Sequence, residues 1–287
     1  MIDKSAVIAD GAILGADVEV GPFCMVGPNV KLGDRVKLMS HVVIDGDTEI
    51  GEDTTVWPFA AIGMRGQDLK FQSDDEMTGV KIGKRCRIRE YVTIQSGTPL
   101  GSQVTGGSTL SATKKDAGNW DSSGTEIGDD CQIMVHAHVA HDCKLGNGIV
   151  VSNMAQLGGH VEIEDFAVIS ALSAVHQFCH IGRNSFLGAM AGTASDIPPY
   201  VIFDGVPARY RTINRVGLAR RGFTNEDMHA IHSVYSAVFD GSDEAIEVKL
   251  KKLKKQIDGN QYALDAIDFL ENRSNRRINT GRDKKES

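Results

Sequence analysis

Aromatic residues and long apolar runs are scarce in this chain of 287 residues. Phe, Trp and Tyr make up 6% of the sequence, whereas glycine occurs 31 times. Because most globular cores draw much of their buried area from aromatic side chains, this composition favours an architecture of small residues and many turns. No run approaches the roughly 18 apolar residues of a membrane-spanning helix, so no stable membrane insertion is expected.

The chain also lacks the charge and cysteine patterns of several protein classes. Its formal net charge is −7, so no general nucleic-acid binding is expected, because that function relies on excess positive charge. The first residues, MIDKSAVIADGAIL, show no basic segment followed by an apolar run, so no signal peptide is expected. The five cysteines form no CxxC pair and are interpreted as reduced, buried thiols of a cytoplasmic protein.

What the sequence does contain is an aliphatic residue at every sixth position. The first series is Ile8, Leu14, Val20, Val26, Leu32, Leu38, Ile44, Ile50, Val56 and Ile62. The series resumes at Ile82, Ile88 and Ile94, and again at Ile127, Ile133, Val139, Leu145, Val151, Leu157, Ile163, Ile169, Val175, Ile181 and Leu187. A period of six fits neither an α-helix nor one alternating strand and is typical of hexapeptide β-helices. With three hexads in each coil, residues 18 apart would stack about 4.8 Å apart.

The cysteines support this register, because each one lies four positions after a repeat aliphatic. Small residues share that phase, which predicts a second inward-facing position. The residues at this position include Ala12, Val18, Cys24, Val36, Ala60, Cys86, Val92, Cys131, Cys143, Ala155, Ala167 and Cys179.

Two interruptions and a change of pattern define the predicted domains. The repeat stops over about residues 64–80 and 96–125, which are predicted to be loops leaving the coil. A β-helix domain is therefore predicted over residues 1–200, and a helical domain with a polar tail over 201–287.

Three helices are predicted in the C-terminal part. Thr224 and Asp227 form a helix-start signal, and apolar residues follow at helical spacing. A second helix is expected to open at 242–244, and a third is predicted over Tyr262–Leu270.

The segment IMVHAHVAHDCKLG raises the question of function, because it contains His136, His138 and His141, followed by Asp142. Stacking at a spacing of 18 predicts a polar cluster at one corner of three successive coils. The cluster consists of His141, Asp142, Gly158, Gly159, His160, His176 and Gln177, with His138 approaching from the side. His136 stacks under Met154 and Leu172 instead, so it is predicted to lie outside the cluster.

Two kinds of chemistry compete for this cluster. The first is a zinc site, since three histidines near the edge of a β-helix resemble the site of the gamma-class carbonic anhydrases. Asp142 fits such a site poorly, and no evident arrangement presents three nitrogens to one point, so no metal ligand is predicted.

The second chemistry is acyl transfer. A histidine can remove a proton from a hydroxyl as it attacks a thioester, and a carboxylate can fix its tautomer. His141 is the candidate base and Asp142 its candidate partner, although adjacent strand residues often point to opposite faces. The amide of Gly159, one coil above His141, is the candidate oxyanion donor.

Several segments together resemble a known family. They are HVAHDCKLGN, GGHVEIEDFAVIS, AVHQFCHIG, DIPPYVI, GLARRGF, QDLK and IREYVTI. In this order and spacing they are similar to the acyl-carrier-protein–UDP-N-acetylglucosamine O-acyltransferases, which start lipid A synthesis. The resemblance covers most of the chain.

The resemblance implies a left-handed parallel β-helix with a C-terminal helical domain, assembled as a homotrimer with active sites between neighbouring subunits. It implies transfer of an (R)-3-hydroxyacyl chain from acyl carrier protein to the 3-hydroxyl of UDP-GlcNAc. The acyl chain would arrive as a phosphopantetheine thioester, with no further cofactor.

Carried over by motif, the resemblance gives His141, Asp142 and Gly159 the catalytic roles named above. The residues implied to bind the sugar nucleotide are Asp68, Lys70, His138, His160, His176, Gln177, Asn214 and Arg220. Arg220 also fits a solvated helix face. Ala189, where longer-chain members have glycine, and Met190 are predicted to shorten or re-aim the acyl-chain pocket.

The sequence departs from the family pattern at Gln95, Pro207 and Val216, and its second loop is longer. The acyl length, the acceptor atom and the role of this loop therefore stay open. The alternatives are a related transferase acting on another or a 3-amino UDP-sugar, a zinc enzyme, and a non-enzymatic scaffold.

Overall fold

The structure is a computed structural model that describes residues 1–67, 78–98, 124–242, 244–255, 257, 259–273, 276, 278 and 279. Most of both predicted loops, including Asp68 and Lys70, lies outside these residues.

The described chain winds through three sheets in turn, so that up to residue 193 each strand pairs with strands three places away along the coil. The nine-stranded sheet contains β1 (Val7–Ile8), β4 (Met25–Val26), β7 (Val43–Ile44), β10 (Ala61–Met64), β13 (Thr93–Gln95), β16 (His138–Val139), β19 (Gln156–Leu157), β22 (Ala174–Val175) and β25 (Gly192–Thr193). The eight-stranded sheet contains β2 (Ile13–Leu14), β5 (Lys31–Leu32), β8 (Thr48–Ile50), β11 (Val80–Ile82), β14 (Thr125–Ile127), β17 (Lys144–Leu145), β20 (Glu162–Ile163) and β23 (His180–Ile181). The ten-stranded sheet contains β3 (Glu19–Val20), β6 (Lys37–Leu38), β9 (Thr55–Val56), β12 (Arg87–Ile88), β15 (Gln132–Ile133), β18 (Val150–Val151), β21 (Val168–Ile169), β24 (Phe186–Leu187), β26 (Val201–Asp204) and β27 (Arg209–Ile213).

The pairing confirms the six-residue repeat and the 18-residue stacking. Ile133 pairs with Val151, and Val151 pairs with Ile169. From Val20 to Leu187, every repeat aliphatic is at most 4% exposed. The five cysteines are free and buried, as predicted. The coil thus encloses a continuous column of aliphatic side chains. The repeat aliphatics pair in the same register before and after each loop.

The turns at the corners share one unusual backbone conformation. The third residue after a repeat aliphatic often has a positive φ, as at Asp130 (58°), His136 (60°) and Asp142 (58°). Asn, Asp and His tolerate this conformation better than most residues do. It turns the chain sharply, so that the next residue points inward again.

Three corners result, and each has its own character. The charged corner, between the eight- and ten-stranded sheets, consists of Asp17, Arg35, Asp53, Arg85 and Asp130. The apolar corner, between the ten- and nine-stranded sheets, consists of Phe23, His41, Phe59, Tyr91, His136, Met154, Leu172 and Met190. The site corner, between the nine- and eight-stranded sheets, consists of Asp142, His160 and Phe178.

The coil extends past the point where the repeat stops. Thr193 pairs with Val175 although it is not aliphatic, since its hydroxyl donates to the Ser195 carbonyl at 2.7 Å. Strand β26 then pairs in parallel with β24. Residues 201–204 therefore belong to the coil by their pairing, although the predicted helical domain began at residue 201.

The C-terminal part contains α1 (Arg215–Arg220), α2 (Asn225–Val238), α3 (Ile246–Leu253), α4 (Gln261–Asp268) and a π-helical turn (Phe269–Arg273). The predicted start of α2 is confirmed, because Thr224 and Asp227 form a capping box. None of the helices in the described part has the length and apolar character that a bilayer crossing requires.

Three details of the helix prediction were wrong. Helix α3 begins at Ile246 and not at 242–244, because Asp240 accepts the Ser242 amide at 2.8 Å in a local turn. Helix α4 begins one residue early, capped by Asn260, and gives way to the π-helical turn before residue 270. Helix α1 was not predicted, since its six residues are too few to show a period.

The buried column predicts a sharp contrast between inward and outward substitutions. We expect Ile133→Ala to lower the free energy of unfolding by about 2–5 kcal/mol, because it leaves a cavity in a closely packed column. The neighbouring outward variant, Gln132→Ala, should change it by less than about 0.5 kcal/mol. Denaturant unfolding of both variants measures this difference, and equal losses would contradict the assigned register.

Candidate active site

His141 and Asp142 lie on the turn that follows β16, at the site corner. Asp142 has a φ of 58°, which swings its side chain back towards its neighbour. The Nδ1 atom of His141 lies 2.9 Å from Oδ2 of Asp142. The two side chains therefore converge, because the turn removes the alternation that an extended strand would impose.

The Asp142 carboxylate is held inside the protein. The residue is 2% exposed, and both carboxylate oxygens accept the Thr98 amide at 3.1 Å. Its own amide donates to the Thr125 hydroxyl at 2.9 Å. Burial alone would raise the pKa of the Asp142 carboxyl, but the His141 hydrogen bond, the charge of His160 and the Thr98 amide together lower it. Asp142 is therefore ionised at neutral pH.

An ionised partner fixes the tautomer of His141. Because a carboxylate only accepts hydrogen bonds, Nδ1 of His141 carries the proton and Nε2 keeps its lone pair. The His141 side chain is 14% exposed, so a small part of the ring is accessible from outside. This is the arrangement of a general base.

Gly159 lies directly over the imidazole of His141. A Cβ atom on Gly159 would lie 2.5 Å from Cε1 and 2.6 Å from Nε2 of His141, so only glycine fits. Among the described residues, no acceptor is hydrogen-bonded to the Gly159 amide. That N–H is therefore a candidate donor to an oxyanion formed beside His141.

His160 contacts the His141–Asp142 pair from the coil above. Its Nε2 atom lies 3.7 Å from Oδ2 of Asp142, and its ring stacks on Phe178 at 4.7 Å. The rings of His141 and His160 meet edge to face at 5.1 Å. Since His160 is 5% exposed, it mainly supports Asp142; its predicted contact with substrate stays a prediction.

His138, His176 and Gln177 lie near the same corner and are only partly exposed. Nδ1 of His138 lies 2.7 Å from the Thr93 hydroxyl, and burial together with the nearby His141 lowers the pKa of His138. Nδ1 of His176 donates to the Gln177 carbonyl at 3.1 Å. Both imidazoles can hydrogen-bond a ligand in front of His141.

The other predicted site residues lie elsewhere in the chain. His136 stacks on Tyr91 at the apolar corner, outside the cluster as expected. Asn214 caps α1 and donates to the Asn184 carbonyl at 2.9 Å. Arg220 lines a cavity of about 690 Å³ beside the charged corner. Ala189 and Met190 are exposed at the apolar corner.

Three residues of the site were left out of the predicted cluster. Phe178 follows from stacking at 18 residues, and Thr125 lies beside Asp142 one coil below, so the same rule identifies both. Thr98 is different, because its coil is interrupted by a loop. Thr93 and its pairing partner His138 are 45 positions apart and not 18, so the sequence alone gives no register across this loop.

The described residues also include one set of atoms that suits a metal ion. Single ligand atoms of His141, Asp142 and His160 lie within 4.8 Å of one another, a closer convergence than the sequence suggested. The donor set is two nitrogens and one oxygen. An ion there would have to displace the hydrogen bond between His141 and Asp142, which argues against a resident metal.

Comparison with known proteins identifies the family of this chain. Residues 196–279 match the family model "Udp N-acetylglucosamine O-acyltransferase; Domain 2", and residues 124–159 match "Bacterial transferase hexapeptide (six repeats)". The UDP-N-acetylglucosamine acyltransferase of Bacteroides fragilis is 34% identical, with a TM-score of 0.84 over 97% of this chain and 99% of that chain. The chain belongs to the UDP-N-acetylglucosamine O-acyltransferase family.

Other members of this acyltransferase family are equally similar along their whole length. The enzyme of Campylobacter jejuni is 33% identical, with a TM-score of 0.80 over 97% of this chain and 98% of that chain. The enzyme of Francisella novicida is 31% identical, with a TM-score of 0.83 over 97% and 93%. The coil is therefore a left-handed parallel β-helix, and the protein is an acyltransferase.

The geometry of this acyltransferase predicts a specific loss on neutralising Asp142. We expect Asp142→Asn to lower kcat by about 10²-fold or more, because an amide can present its N–H to Nδ1 and stabilise the wrong tautomer of His141. Steady-state kinetics would measure this loss. Asp130→Asn is the matched control, since Asp130 has the same φ of 58° but lies at the charged corner. A comparable loss in both variants would contradict a special role for Asp142.

Proposed function

We propose that this protein transfers an (R)-3-hydroxyacyl chain from acyl carrier protein to the 3-hydroxyl of UDP-GlcNAc, the first step of lipid A biosynthesis. The observation that carries the proposal is the His141–Asp142 pair with Gly159 over its reactive nitrogen. Membership of the family supports the choice of substrates.

The reaction proceeds in two balanced stages. Nε2 of His141 takes the proton of the sugar hydroxyl while the oxygen attacks the thioester carbonyl carbon, and a C–O bond forms. The developing oxyanion accepts a hydrogen bond from the Gly159 amide, and Asp142 stabilises the imidazolium of His141. The intermediate then collapses, the C–S bond breaks, and His141 returns the proton to the departing phosphopantetheine sulfur. The transfer needs no metal and no covalent enzyme intermediate.

The sugar nucleotide would be held by groups from several elements. His138, His176 and Gln177 border the space in front of His141 and suit the hydroxyls of the sugar. Asp68 and Lys70 are proposed to contact the sugar and diphosphate from the first loop. Asn214 hydrogen-bonds to Asn184, and Arg220 lines a cavity with Asn184 at the turn between the eight- and ten-stranded sheets. Because His141 lies at a different corner of the coil, we assign both residues to the site of a neighbouring copy.

A homotrimer would supply that neighbour, and the outer faces of the coil support it. The outward residues of the nine-stranded sheet carry no formal charge, apart from protonation of His138. They are Val7, Met25, Val43, Ala61, Thr93, His138, Gln156, Ala174 and Gly192. The eight-stranded sheet instead presents a ladder of ionisable residues, namely Lys31, Glu49, Lys81, Glu126, Lys144, Glu162 and His180.

The uncharged face continues into the apolar corner. Phe59, Tyr91, Leu172 and Met190 are 47%, 48%, 56% and 70% exposed there. Exposed apolar side chains clustered in this way favour an interaction site, and a heterologous contact between identical chains forms a ring when its rotation closes. In such a ring, Ala189 and Met190 would line an apolar groove for the acyl chain.

The cytoplasm is the proposed compartment. Acyl carrier protein delivers acyl chains there, and all five cysteines of this protein are free thiols, the usual state in a reducing compartment.

Removing the base tests the reaction. We expect His141→Ala to lower turnover by about 10²–10⁴-fold, the usual contribution of a general base.

The assay follows acylation of UDP-GlcNAc and its 3-amino analogue by acyl carrier protein thioesters from C10 to C16, with and without a chelator. Transfer to the 3-amino sugar alone would overturn the proposed acceptor, and loss of activity with chelator would support a metal enzyme instead. Clear preference for the longest acyl chain would overturn the shortened pocket.

The control for His141→Ala is a second histidine variant, outside the site. His229→Ala replaces an exposed histidine on α2 and should retain turnover. If His141→Ala retained it as well, His141 would not be the base.

The uncharged face generates a second prediction. Met25→Glu should raise the concentration at which the trimer dissociates by about tenfold or more, because an unpaired charge would be buried at each contact. Ile13→Glu is the matched control, since Met25 and Ile13 are similarly exposed, at 53% and 57%, but Ile13 lies on the charged eight-stranded sheet. Analytical ultracentrifugation distinguishes the two, and an unchanged assembly in Met25→Glu would place the interface elsewhere.

A further inference from the structure

The ends of the two loops meet beneath the catalytic pair. The Thr78 hydroxyl donates to the Thr98 carbonyl at 2.8 Å, and the Thr125 amide donates to the Gly79 carbonyl at 3.0 Å. Where both loops leave the coil, the Ser96 amide donates to the Met64 carbonyl at 2.9 Å. The chain segments that enter and leave both loops are thus joined to one another next to Asp142.

Gly97 has no room for any side chain in this arrangement. A Cβ atom on Gly97 would lie 2.6 Å from Oδ1 of Asp142, 2.3 Å from the Thr78 hydroxyl and 2.5 Å from Cα of Gly124. Two of these atoms belong to the loop ends and one to the catalytic carboxylate. The close approach is what brings the next amide, that of Thr98, within 3.1 Å of both carboxylate oxygens.

We propose that Gly97 and Thr98 are positioning residues for catalysis. They fix the orientation of the Asp142 carboxylate, and this carboxylate in turn orients the imidazole of His141. Gly97 provides the space, and Thr98 provides the backbone N–H. This inference rests on the proposed function, and it gives the start of the second loop a role in the chemistry.

The energetic reason lies in the burial of Asp142. A buried carboxylate without its donors loses charge-assisted hydrogen bonds, which are about twice as strong as neutral ones, and it turns towards whatever donor remains. His141 then loses the fixed acceptor for its Nδ1 proton, so the productive tautomer is less populated. Substrate contacts at His138, His176 and Gln177 are left in place.

The predicted kinetic signature is therefore a fall in kcat without a matching change in KM. In the full-length protein, Gly97→Ala should lower kcat by about 10–100-fold and change KM for UDP-GlcNAc by less than about threefold. Because the effect acts through Asp142, the double variant Gly97→Ala/Asp142→Ala should be no slower than Asp142→Ala alone.

Gly83→Ala is the matched control for strain. A Cβ atom on Gly83 would lie 2.4 Å from Oδ1 of Asp129, so it also crowds a carboxylate, but at the charged corner. We expect it to lower the melting temperature much as Gly97→Ala does and to leave kcat unchanged. Equal losses of kcat in the two glycine variants would mean that strain alone is responsible and would overturn the proposal.

A milder variant keeps the test decisive if Gly97→Ala fails to fold. Thr78→Val removes the hydroxyl that holds the Thr98 carbonyl, and it should lower kcat by about 3–10-fold in the native background and not at all with Asp142→Ala. If the losses of kcat multiplied in the double variants with Asp142→Ala, the positioning role would be overturned. An unchanged kcat in both single variants would overturn it as well. Retained activity in His141→Ala would instead overturn the proposed base, so the two failures are distinguishable.

Discussion

The buried column of aliphatic side chains is the constraint on which the rest of the structure depends. One aliphatic residue in each hexad faces the axis, and the fully buried members, such as Ile133 and Ile169, leave no space for a shift in register. A shift of one residue would turn polar residues inward at a cost that burial cannot offset. The column therefore determines which residues stack at each corner, and with them the composition of the site.

At the site corner, this register brings a strained turn together with a buried charge. Asp142 combines a positive φ with a carboxylate that is almost fully buried. Each feature is unfavourable alone, at about 1–3 kcal/mol for the backbone and more for an unpaired charge. Hydrogen bonds from His141 and from the Thr98 amide offset the cost, and the pair is left in one orientation. The fold thus tolerates a local loss of stability at the residue whose orientation matters, because the surrounding coils stabilise the structure as a whole.

The sequence predicted those parts of the structure that depend on the repeat. Hexad spacing was sufficient to stack Gly159 over His141 and His160 over Asp142, because these residues lie in an unbroken run of coils. It was insufficient for the convergence of His141 with Asp142, which depends on the backbone of the turn. It also missed Thr98, because stacking cannot be counted across a loop of unknown path, and helix α1, whose cap at Asn214 depends on tertiary packing.

The three outer surfaces differ in charge, and this difference supports the proposal that a neighbouring copy completes the site. His141 lies at the edge of an uncharged sheet, whereas Arg220 lies with Phe166 and Asn184 at the other edge of the eight-stranded sheet. In the proposed trimer, a nucleotide held by both residues would span two copies, and burial of the uncharged sheet would bring them into contact. The same apolar surface would then stabilise the assembly and exclude water from the acyl chain.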